Sequence, residues 1–333
     1  MVWHITGRCN LSCCHCYSDS GPNLKEPEMN EKDADAFLGE CAANSAPVLL
    51  LSGGEPLCCP NFFSYMKKTR AIGLKIAVST NGTLIDEYAA AMMAHHAEYV
   101  GVSLDGTREI HDEFRGLEGA FDSSISAIKR LASKGCRVGA RITLARRIIG
   151  HLDEVLALME EIPVSRVCFY RFFHSGRGAR DASLVPDQAD EDAAARRIIE
   201  WADGLSVPRG SDRQLEILTV GDASDSVRLY EYLDSNSDGR KQGASEMMRR
   251  SAGRASGSGI LSVKWDGTVF RNQFLWNKPI GNWKNIAEAA RAAACYDIES
   301  ECSQCGWRSR EICGGRTAGF GGGCFFGGRK GRE

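Results

Sequence analysis

Three cysteines near the amino terminus have the spacing of a metal-binding loop. Cys9, Cys13 and Cys16 form a C-x3-C-x2-C pattern directly after a short apolar run, residues 2–6. Three thiolates from one loop can each bind one iron of a [4Fe–4S] cluster and leave the fourth iron open, whereas a purely structural cluster is normally closed by four cysteines. An open iron is a place where a small molecule can bind and react. The alternatives are a zinc knuckle and an ordinary reduced loop, and the additional Cys14 is expected to point away from the metal.

A Gly-Gly-Glu-Pro segment, Gly53 to Pro56, follows the second apolar run, residues 48–52. Two glycines allow the backbone to approach a ligand closely, so that N–H and C=O groups can meet the polar end of an amino acid. Alone, such a segment is more often a turn than a binding site. Because it follows the second predicted strand as the cysteine loop follows the first, we interpret it as part of the same ligand site.

Polar side chains also lie at the ends of the next three apolar runs. Ser79 and Asn81 end the third run, Ser103 ends the fourth, and Arg141 is a cation within the fifth. Short polar side chains at strand ends can hydrogen-bond a ribose or a carboxylate, although they are equally good turn formers. The guanidinium of Arg141 can pair with a ligand carboxylate, and the alternative for it is an ordinary ion pair within the protein.

The elements that must position these residues are six apolar, β-branched-rich runs that alternate with helical patterns. The predicted strands are residues 2–6, 48–52, 74–80, 99–104, 137–143 and 166–172. Parallel strands need right-handed crossovers and cover on both faces, which predicts an α/β fold with a parallel barrel, full or partial. Ligands of such folds bind at the carboxyl ends of the strands, where the motifs described above lie.

A second group of cysteines occurs in the Gly-rich tail, with the spacing C-x2-C-x7-C-x10-C. Its members are Cys302, Cys305, Cys313 and Cys324. Four thiolates can close a tetrahedral site, so this group fits either a second [4Fe–4S] cluster or a structural zinc ion. An acidic amphipathic helix is predicted over residues 181–203, after which the composition changes. We therefore predict a core domain at residues 1–205 and a Cys-rich extension at residues 206–333.

Composition narrows the class of protein. The 333 residues carry a formal net charge of −2, which gives no basic excess for a nucleic-acid partner. There is neither an apolar stretch long enough to span a membrane nor a signal-peptide pattern, so no membrane association is expected and the predicted location is cytoplasmic. Thiols stay reduced in that compartment, so metal binding is the leading interpretation of the 14 cysteines.

In order along residues 1–180, the cysteine loop, the Gly-Gly-Glu-Pro segment and the polar strand ends resemble the radical S-adenosylmethionine (SAM) superfamily. The resemblance implies a partial (β/α)6 barrel and a cluster that donates an electron to SAM, releasing methionine and a 5′-deoxyadenosyl radical that abstracts hydrogen from a substrate. It implies an electron donor such as ferredoxin or flavodoxin. It also implies two sets of SAM contacts: Gly53, Gly54 and Glu55 for the methionine amino end, and Ser79, Asn81, Ser103 and Arg141 for ribose or carboxylate.

Other segments resemble the tetrapyrrole-modifying branch of this superfamily, namely the heme d1 biosynthesis enzyme and the didecarboxysiroheme deacetylase of the alternative heme pathway. They include residues 2–6, 99–106, 111–115, 218–223 and 266–269. The resemblance implies an iron tetrapyrrole substrate that loses acetate or propionate side chains, and an auxiliary [4Fe–4S] cluster in the tail in preference to zinc. The gaps of seven and ten residues in the tail depart from the family pattern, so whether Cys313 and Cys324 both bind the cluster stays open.

A porphyrinoid substrate needs an aromatic-lined cavity with cations for its carboxylates. The candidate lining residues are Arg171, His174, Arg177, Arg180, Trp265, Arg271 and Trp276. Two other functions are compatible with the sequence. The first is a peptide maturase that forms thioether or carbon–carbon crosslinks, and the second is a non-catalytic Fe–S or heme-binding protein. Retention of the SAM-binding motifs is evidence against the second, because a carrier does not need them.

Overall fold

The β-branched runs of the sequence form the strands of one sheet. The computed structural model describes residues 1–205, 215–221, 224–251, 260–274, 276, 278–294, 305 and 313. The strands of this part are β1 Val2–His4, β2 Val48–Ser52, β3 Lys75–Thr80, β4 Tyr99–Ser103, β5 Val138–Leu144, β6 Arg166–Arg171, β7 Glu216–Val220, β8 Ser262–Val263, β9 Thr268–Phe270 and β10 Gly281–Asn282. Their order in the sheet is β10-β9-β8-β1-β2-β3-β4-β5-β6-β7. Pairing is parallel from β8 through β7, and antiparallel in β8–β9 and β9–β10.

Helices connect the parallel strands. They are α1 Glu31–Ala43, α2 Phe62–Ala71, α3 Glu87–His96, α4 Arg108–Arg115, α5 Ala120–Ser133, α6 Arg146–Ile149, α7 Leu152–Glu161, α8 Gln188–Leu205, α9 Asp225–Ser235, α10 Lys241–Ser251 and α11 Ile286–Ala294. Short 3-10 helices occur at Pro56–Cys58, Gly176–Arg180, Ala182–Leu184 and Trp283–Asn285. None of the helices in the described ranges is long and apolar enough to cross a membrane.

The predicted α/β fold and partial (β/α)6 barrel are confirmed. Each of the six predicted strands is present, and no end differs from its prediction by more than two residues. The predicted helix at residues 181–203 is correct in type, but it begins at Gln188. Pro186 disfavours helical backbone at the preceding residue, and the carboxylate of Asp187 accepts a hydrogen bond from the backbone N–H of Asp190, which caps the helix start.

The two faces of the central strands have different environments. Side chains directed outward pack under the helices, as Trp3 does between Phe37 and Tyr65, with ring centroids 5.1 and 5.0 Å apart. Burial of such side chains contributes about 1.5–3 kcal/mol each, which holds helices and sheet together. Side chains of the alternate residues face the barrel interior, where polar groups such as Ser79 and Arg141 collect.

Strands that follow residue 205 extend both edges of this sheet. On one side β7 pairs with β6, and on the other β8 pairs with β1. The predicted boundary at residue 205 between a core domain and an extension stays a prediction. In the described residues, these two regions share one hydrogen-bonded sheet. Residues that follow position 205 therefore lie beside β1 and β6 in the sheet.

Two glycines on neighbouring strands leave room for large side chains inside the barrel. A Cβ at Gly139 would lie 2.3 Å from the hydroxyl of Tyr99 and 2.8 Å from the carbonyl oxygen of Arg166, and a Cβ at Gly101 would lie 2.6 Å from Cδ of Arg141. We expect Gly139→Ala to lower the free energy of unfolding by about 1–3 kcal/mol, because the added methyl overpacks the interior. Urea unfolding followed by circular dichroism would measure this change.

The matched control is Gly39→Ala in the exposed face of α1, where an added Cβ meets nothing within 4 Å. Alanine is favoured over glycine inside a helix by about 0.5–1 kcal/mol, so this variant should be more stable than the wild type. Equal stability of Gly139→Ala and the wild type would show that the interior tolerates an additional methyl group.

Candidate functional site

A cavity lies at the carboxyl ends of the barrel strands. Its empty volume is about 960 Å³, with the open solvent at its mouth included. Of the residues predicted from the sequence to bind the cluster or SAM, those that line it are Cys9, Cys13, Cys16, Gly53, Gly54, Ser79, Asn81, Ser103 and Arg141. The structure thus brings together the cysteine loop, the two glycines and the polar strand ends, as the topology predicted.

The cysteine loop is held by Arg177, which follows β6. The guanidinium of Arg177 donates to the carbonyl oxygens of Cys13 (2.8 Å) and Ser20 (2.7 Å), and it pairs with Asp19 at 3.1 Å. The backbone N–H of Arg177 also donates to the carbonyl of Cys16 at 2.9 Å. This residue was a candidate for substrate carboxylates, and it does line the cavity, but three of its five side-chain N–H groups fix the loop.

Each of the three predicted ligand sulfurs has a polar neighbour. Sγ of Cys9 accepts from the backbone N–H of Leu11 at 3.4 Å and from the side-chain amide of Asn81 at 3.9 Å. Sγ of Cys16 lies 3.3 Å from the hydroxyl of Ser18. Sγ of Cys13 accepts from Arg115, at 3.7 Å. Donors of this kind stabilise negative charge on sulfur, as a metal-bound thiolate requires.

The environment of these thiols fits a cluster with one open iron. Burial raises the pKa of the Cys9 thiol to about 12, so without a cation it stays protonated. Iron held by these residues would supply the compensating positive charge, and the three sulfurs share the wall of one cavity, where a ligand of the cluster would bind. Cys14 donates instead to the carbonyl of Phe114 at 3.5 Å and does not line the cavity, as expected.

Glu55 lies beneath the site and does not line the cavity. Its fully buried carboxylate accepts hydrogen bonds from the hydroxyl of Thr80 (2.8 Å) and from the backbone N–H groups of Asn81 (2.7 Å) and Leu57 (3.2 Å). Burial raises the pKa of this carboxyl group to about 7. The carboxylate therefore joins the end of β2 to the end of β3, and a direct contact of Glu55 with methionine stays a prediction.

Gly53 and Gly54 are required because their backbone lies close against the backbone of residues 6–8. A Cβ at Gly53 would lie 2.5 Å from the carbonyl oxygen of Thr6, and one at Gly54 would lie 2.4 Å from that of Arg8. The N–H of Gly54 donates to Thr6 and the N–H of Glu55 donates to Arg8, at 2.8 and 2.9 Å. The Gly-Gly-Glu-Pro segment thus lies directly against the start of the cysteine loop.

Arg141 lies in the barrel interior beside aromatic side chains. Its guanidinium carbon is 4.7 Å from the centre of the Tyr170 ring. Ser103 is its register partner on β4. Within the described ranges no carboxylate forms an ion pair with Arg141, so the alternative of an ordinary ion pair finds no support there. The cation therefore remains available to an anionic group in the cavity.

Aromatic side chains form one wall of the cavity, and the sequence analysis did not assign them. Phe173 and Phe274 stack with their ring centres 3.8 Å apart, and Phe274 also lies 5.1 Å from Tyr17 and 6.1 Å from Tyr170. Phe274 follows β9, so residues near the carboxyl terminus complete the wall. Flat aromatic faces of this kind pack against planar ligands.

Most of the candidate substrate-binding cations do not reach the cavity, which corrects that prediction. Arg171 is buried in an ion pair with Asp225 at 2.5 Å, and Arg180 pairs with Asp19. Arg271 donates to the carbonyl of Ala292. His174, Trp265 and Trp276 are not among the residues that line the cavity. The cations of the described residues that do line it are Arg115, Arg141 and Arg177.

The second cysteine group is only partly described. Cys302 and Cys324 lie outside the described residues. Cys305 and Cys313 are both buried and belong to one apolar cluster with Val227 of α9 and Met248 of α10. These two thiols are therefore brought into the same region, and a second metal site remains a prediction.

The fold and the site define a class of protein: a parallel α/β barrel with a three-cysteine loop after its first strand and a ligand cavity lined by that loop. Residues 3–162 match the model of the radical SAM superfamily. The described structure also resembles that of anSMEcpe with bound AdoMet, with a TM-score of 0.69 at 19% identity, over 94% of this chain and 87% of the other.

Two relatives match along nearly the whole chain. Fe-coproporphyrin III synthase from Methanosarcina barkeri (strain Fusaro / DSM 804) is 31% identical over 331 residues, which cover 95% of this chain and 82% of that protein. Pre-heme d1 synthase from Dinoroseobacter shibae is 28% identical over 95% of this chain and 81% of that protein. The chain belongs to the radical SAM superfamily, and its similarity to the tetrapyrrole-modifying branch is confirmed. The family implies a [4Fe–4S] cluster and SAM as cofactors.

The hydrogen bonds to Glu55 predict a large effect of its removal. We expect Glu55→Ala to lower the free energy of unfolding by about 2–4 kcal/mol, because three donors at the ends of β2 and β3 lose their acceptor. Chemical denaturation of the purified protein would measure the difference. Glu31→Ala is the control, since the Glu31 side chain is 59% exposed and pairs with Lys68 at the surface. If both variants unfolded at the wild-type denaturant concentration, the carboxylate would not hold the strand ends together.

Proposed function

We propose that this radical SAM enzyme removes acetate or propionate side chains from an iron tetrapyrrole such as didecarboxysiroheme, in heme or heme d1 biosynthesis. The observation that carries the proposal is one cavity whose wall combines three thiols, a cation without a carboxylate partner among the described residues, and an aromatic face. The names of the two full-length relatives support a tetrapyrrole substrate.

In this proposal Cys9, Cys13 and Cys16 hold the cluster, which when bound supplies the electron that cleaves SAM to methionine and a hydrogen-abstracting 5′-deoxyadenosyl radical. The backbone of Gly53 and Gly54 binds the methionine amino end. Arg141 binds the SAM carboxylate, since it is the interior cation beside Ser103. Charge-assisted bonds of this kind orient a ligand as well as hold it.

The side chains of Ser79, Ser103 and Asn81 are proposed contacts of ribose and carboxylate. Asn81 already bonds to the cysteine loop, because its amide donates to the side-chain oxygen of Asn10 at 3.0 Å and approaches Sγ of Cys9. Its side chain therefore connects the cluster loop to the SAM position. The aromatic wall excludes water from the same space, which limits quenching of a reactive radical.

The wall of the cavity has the kinds of surface that a planar substrate needs. Small-molecule sites in proteins are mostly apolar with a few fixed polar groups. The stacked pair of Phe173 and Phe274 offers a flat face to a macrocycle, and Arg115 is a further cation on the cavity wall. These features support the tetrapyrrole branch of the proposal.

Further parts of the proposal concern the electron donor, the cellular location and a second cluster. A ferredoxin or flavodoxin would deliver the electron, and the exposed Asn10 and Ser12 leave the cluster loop accessible to such a donor. We also propose a cytoplasmic location, where thiols stay reduced and can bind metal. We propose a second [4Fe–4S] cluster at Cys302, Cys305, Cys313 and Cys324, supported by the shared buried environment of Cys305 and Cys313. These residues belong to the proposed extension at residues 206–333.

The first experiment is an anaerobic reaction of the reconstituted protein with SAM, a reductant and didecarboxysiroheme. We expect 5′-deoxyadenosine to form together with a tetrapyrrole that has lost the mass of acetate or propionate side chains, both measured by mass spectrometry. Cys13→Ala should form neither product. Formation of 5′-deoxyadenosine with an intact tetrapyrrole would overturn the substrate assignment and favour a peptide substrate, and absence of SAM cleavage would favour a non-catalytic iron–sulfur protein.

The proposed role of Arg141 predicts weaker SAM binding when its charge is removed. We expect Arg141→Met to raise the dissociation constant for SAM about 10- to 100-fold, because one charge-assisted contact with the carboxylate is lost. Isothermal titration of the cluster-loaded protein would measure it. Arg137→Met, just before the same strand but exposed and paired with Glu216, should bind SAM as the wild type does. Equal affinity of the two variants would show that Arg141 has no part in SAM binding.

A further inference from the structure

A buried arginine connects one predicted cluster ligand to a buried carboxylate. The guanidinium of Arg115, at the end of α4, donates through NH1 to Sγ of Cys13 at 3.7 Å and through NH2 to Oδ2 of Asp105. The Arg115 side chain is 9% exposed and that of Asp105 is fully buried. The same guanidinium lines the cavity. Arg115 thus stands between a sulfur of the cluster loop and the end of β4.

Hydrogen bonds hold Asp105 in place, while Nε of Arg115 is buried without a hydrogen-bond partner among the described residues. The other oxygen of Asp105 accepts from the backbone N–H of Thr143, near the end of β5, at 2.6 Å, and the backbone N–H of Asp105 donates to Nδ1 of His111 at 2.9 Å. Gly116 ends α4 in a left-handed conformation at φ 67°, directly after Arg115. With the backbone and Asp105 both fixed, the guanidinium has little freedom to leave the sulfur.

We propose that Arg115 is a positioning residue that acts through Cys13 to raise the reduction potential of the cluster. The inference rests on the proposed function in one respect, that Cys13 is a cluster ligand. Hydrogen bonds to ligand sulfurs, together with local charge and burial, set the potentials of iron–sulfur clusters. A donor at Sγ of Cys13 stabilises the reduced state more than the oxidised state, because the reduced cluster carries one more negative charge.

The neighbouring carboxylate decides how large this effect can be. Asp105 neutralises the net charge of Arg115, but the guanidinium lies between the carboxylate and the sulfur, so the positive end of the pair faces the cluster. In a buried site such an oriented pair is screened less than it would be at the surface. The expected contribution is therefore that of a hydrogen bond and a local dipole, which is smaller than that of a free cation.

A purely structural role for Arg115 would be an ion pair that only holds α4 against the loop. Both roles would change SAM cleavage and stability, so neither measurement separates them. The midpoint potential of the cluster separates them, because an ion pair that does not act on the sulfur leaves that potential unchanged. The potential is measured on the EPR signal that shifts when SAM is added, since only a cluster with an open iron binds SAM.

The experiment is an EPR-monitored redox titration of reconstituted wild type, Arg115→Lys, and the double variant Arg115→Met/Asp105→Asn. Lysine keeps the positive charge beside Asp105 but lacks the forked guanidinium that bonds both Cys13 and Asp105. The double variant removes the ion pair of Arg115 and Asp105 without leaving a lone buried charge. Arg108→Lys is the matched control, because Arg108 lies on the same helix but pairs with Asp122 at the surface. We expect a more negative midpoint potential in both Arg115 variants and the wild-type potential in the control.

A spectroscopic measurement completes the test, and its contradicting outcome needs only the wild type. Protein labelled with 15N-arginine should show a 15N coupling to the reduced, SAM-responsive cluster in pulsed EPR, and Arg115→Lys should lose it. Wild-type potentials in both Arg115 variants, or no 15N coupling in the wild type, would overturn the proposal. Failure of the wild type to assemble a SAM-responsive cluster would instead overturn the proposed function itself.

Discussion

The buried carboxylate of Glu55 is the interaction on which the geometry of the site depends. It accepts from the end of β3, while the backbone around it bonds to residues 6–8 after β1. Three neighbouring strand ends are thereby fixed to one another beneath the cavity. A buried carboxylate is costly unless its oxygens are hydrogen-bonded, and here the protein supplies three donors. The cysteine loop and the side chain of Asn81 start from this fixed base.

The barrel interior combines residues that a sheet normally excludes. Gly101 and Gly139 weaken their strands as strand formers, yet they provide the space that Tyr99 and Arg141 occupy. A buried cation without a carboxylate partner in the described residues is unfavourable, and under the proposed function the carboxylate of SAM would offset its cost. Strand propensity is thus low at the positions that make room for this cation.

Much of the fold was predictable because strands that are buried on both faces are continuous apolar runs in the sequence. Each central strand is a short apolar run bounded by glycine or polar residues, and the cysteine spacing is local. The partners of charged side chains were not predictable, because they are distant in sequence: Arg115 lies 102 residues from Cys13, and Arg177 lies 164 residues from the same residue. Sequence analysis therefore placed Arg177 in the substrate site, although the fold uses it to hold the cysteine loop.

The pairing of β1 with β8 has a consequence for synthesis of the protein. Val2 pairs with Ser262, so one edge of β1 has no neighbour until the ribosome has added the residues between them. At about 5–20 residues per second this takes roughly 10–50 s. Phe274, which completes the cavity wall, emerges later still. During that interval the cysteine loop lies beside an unfinished wall, so it is more open to solvent than in the completed fold.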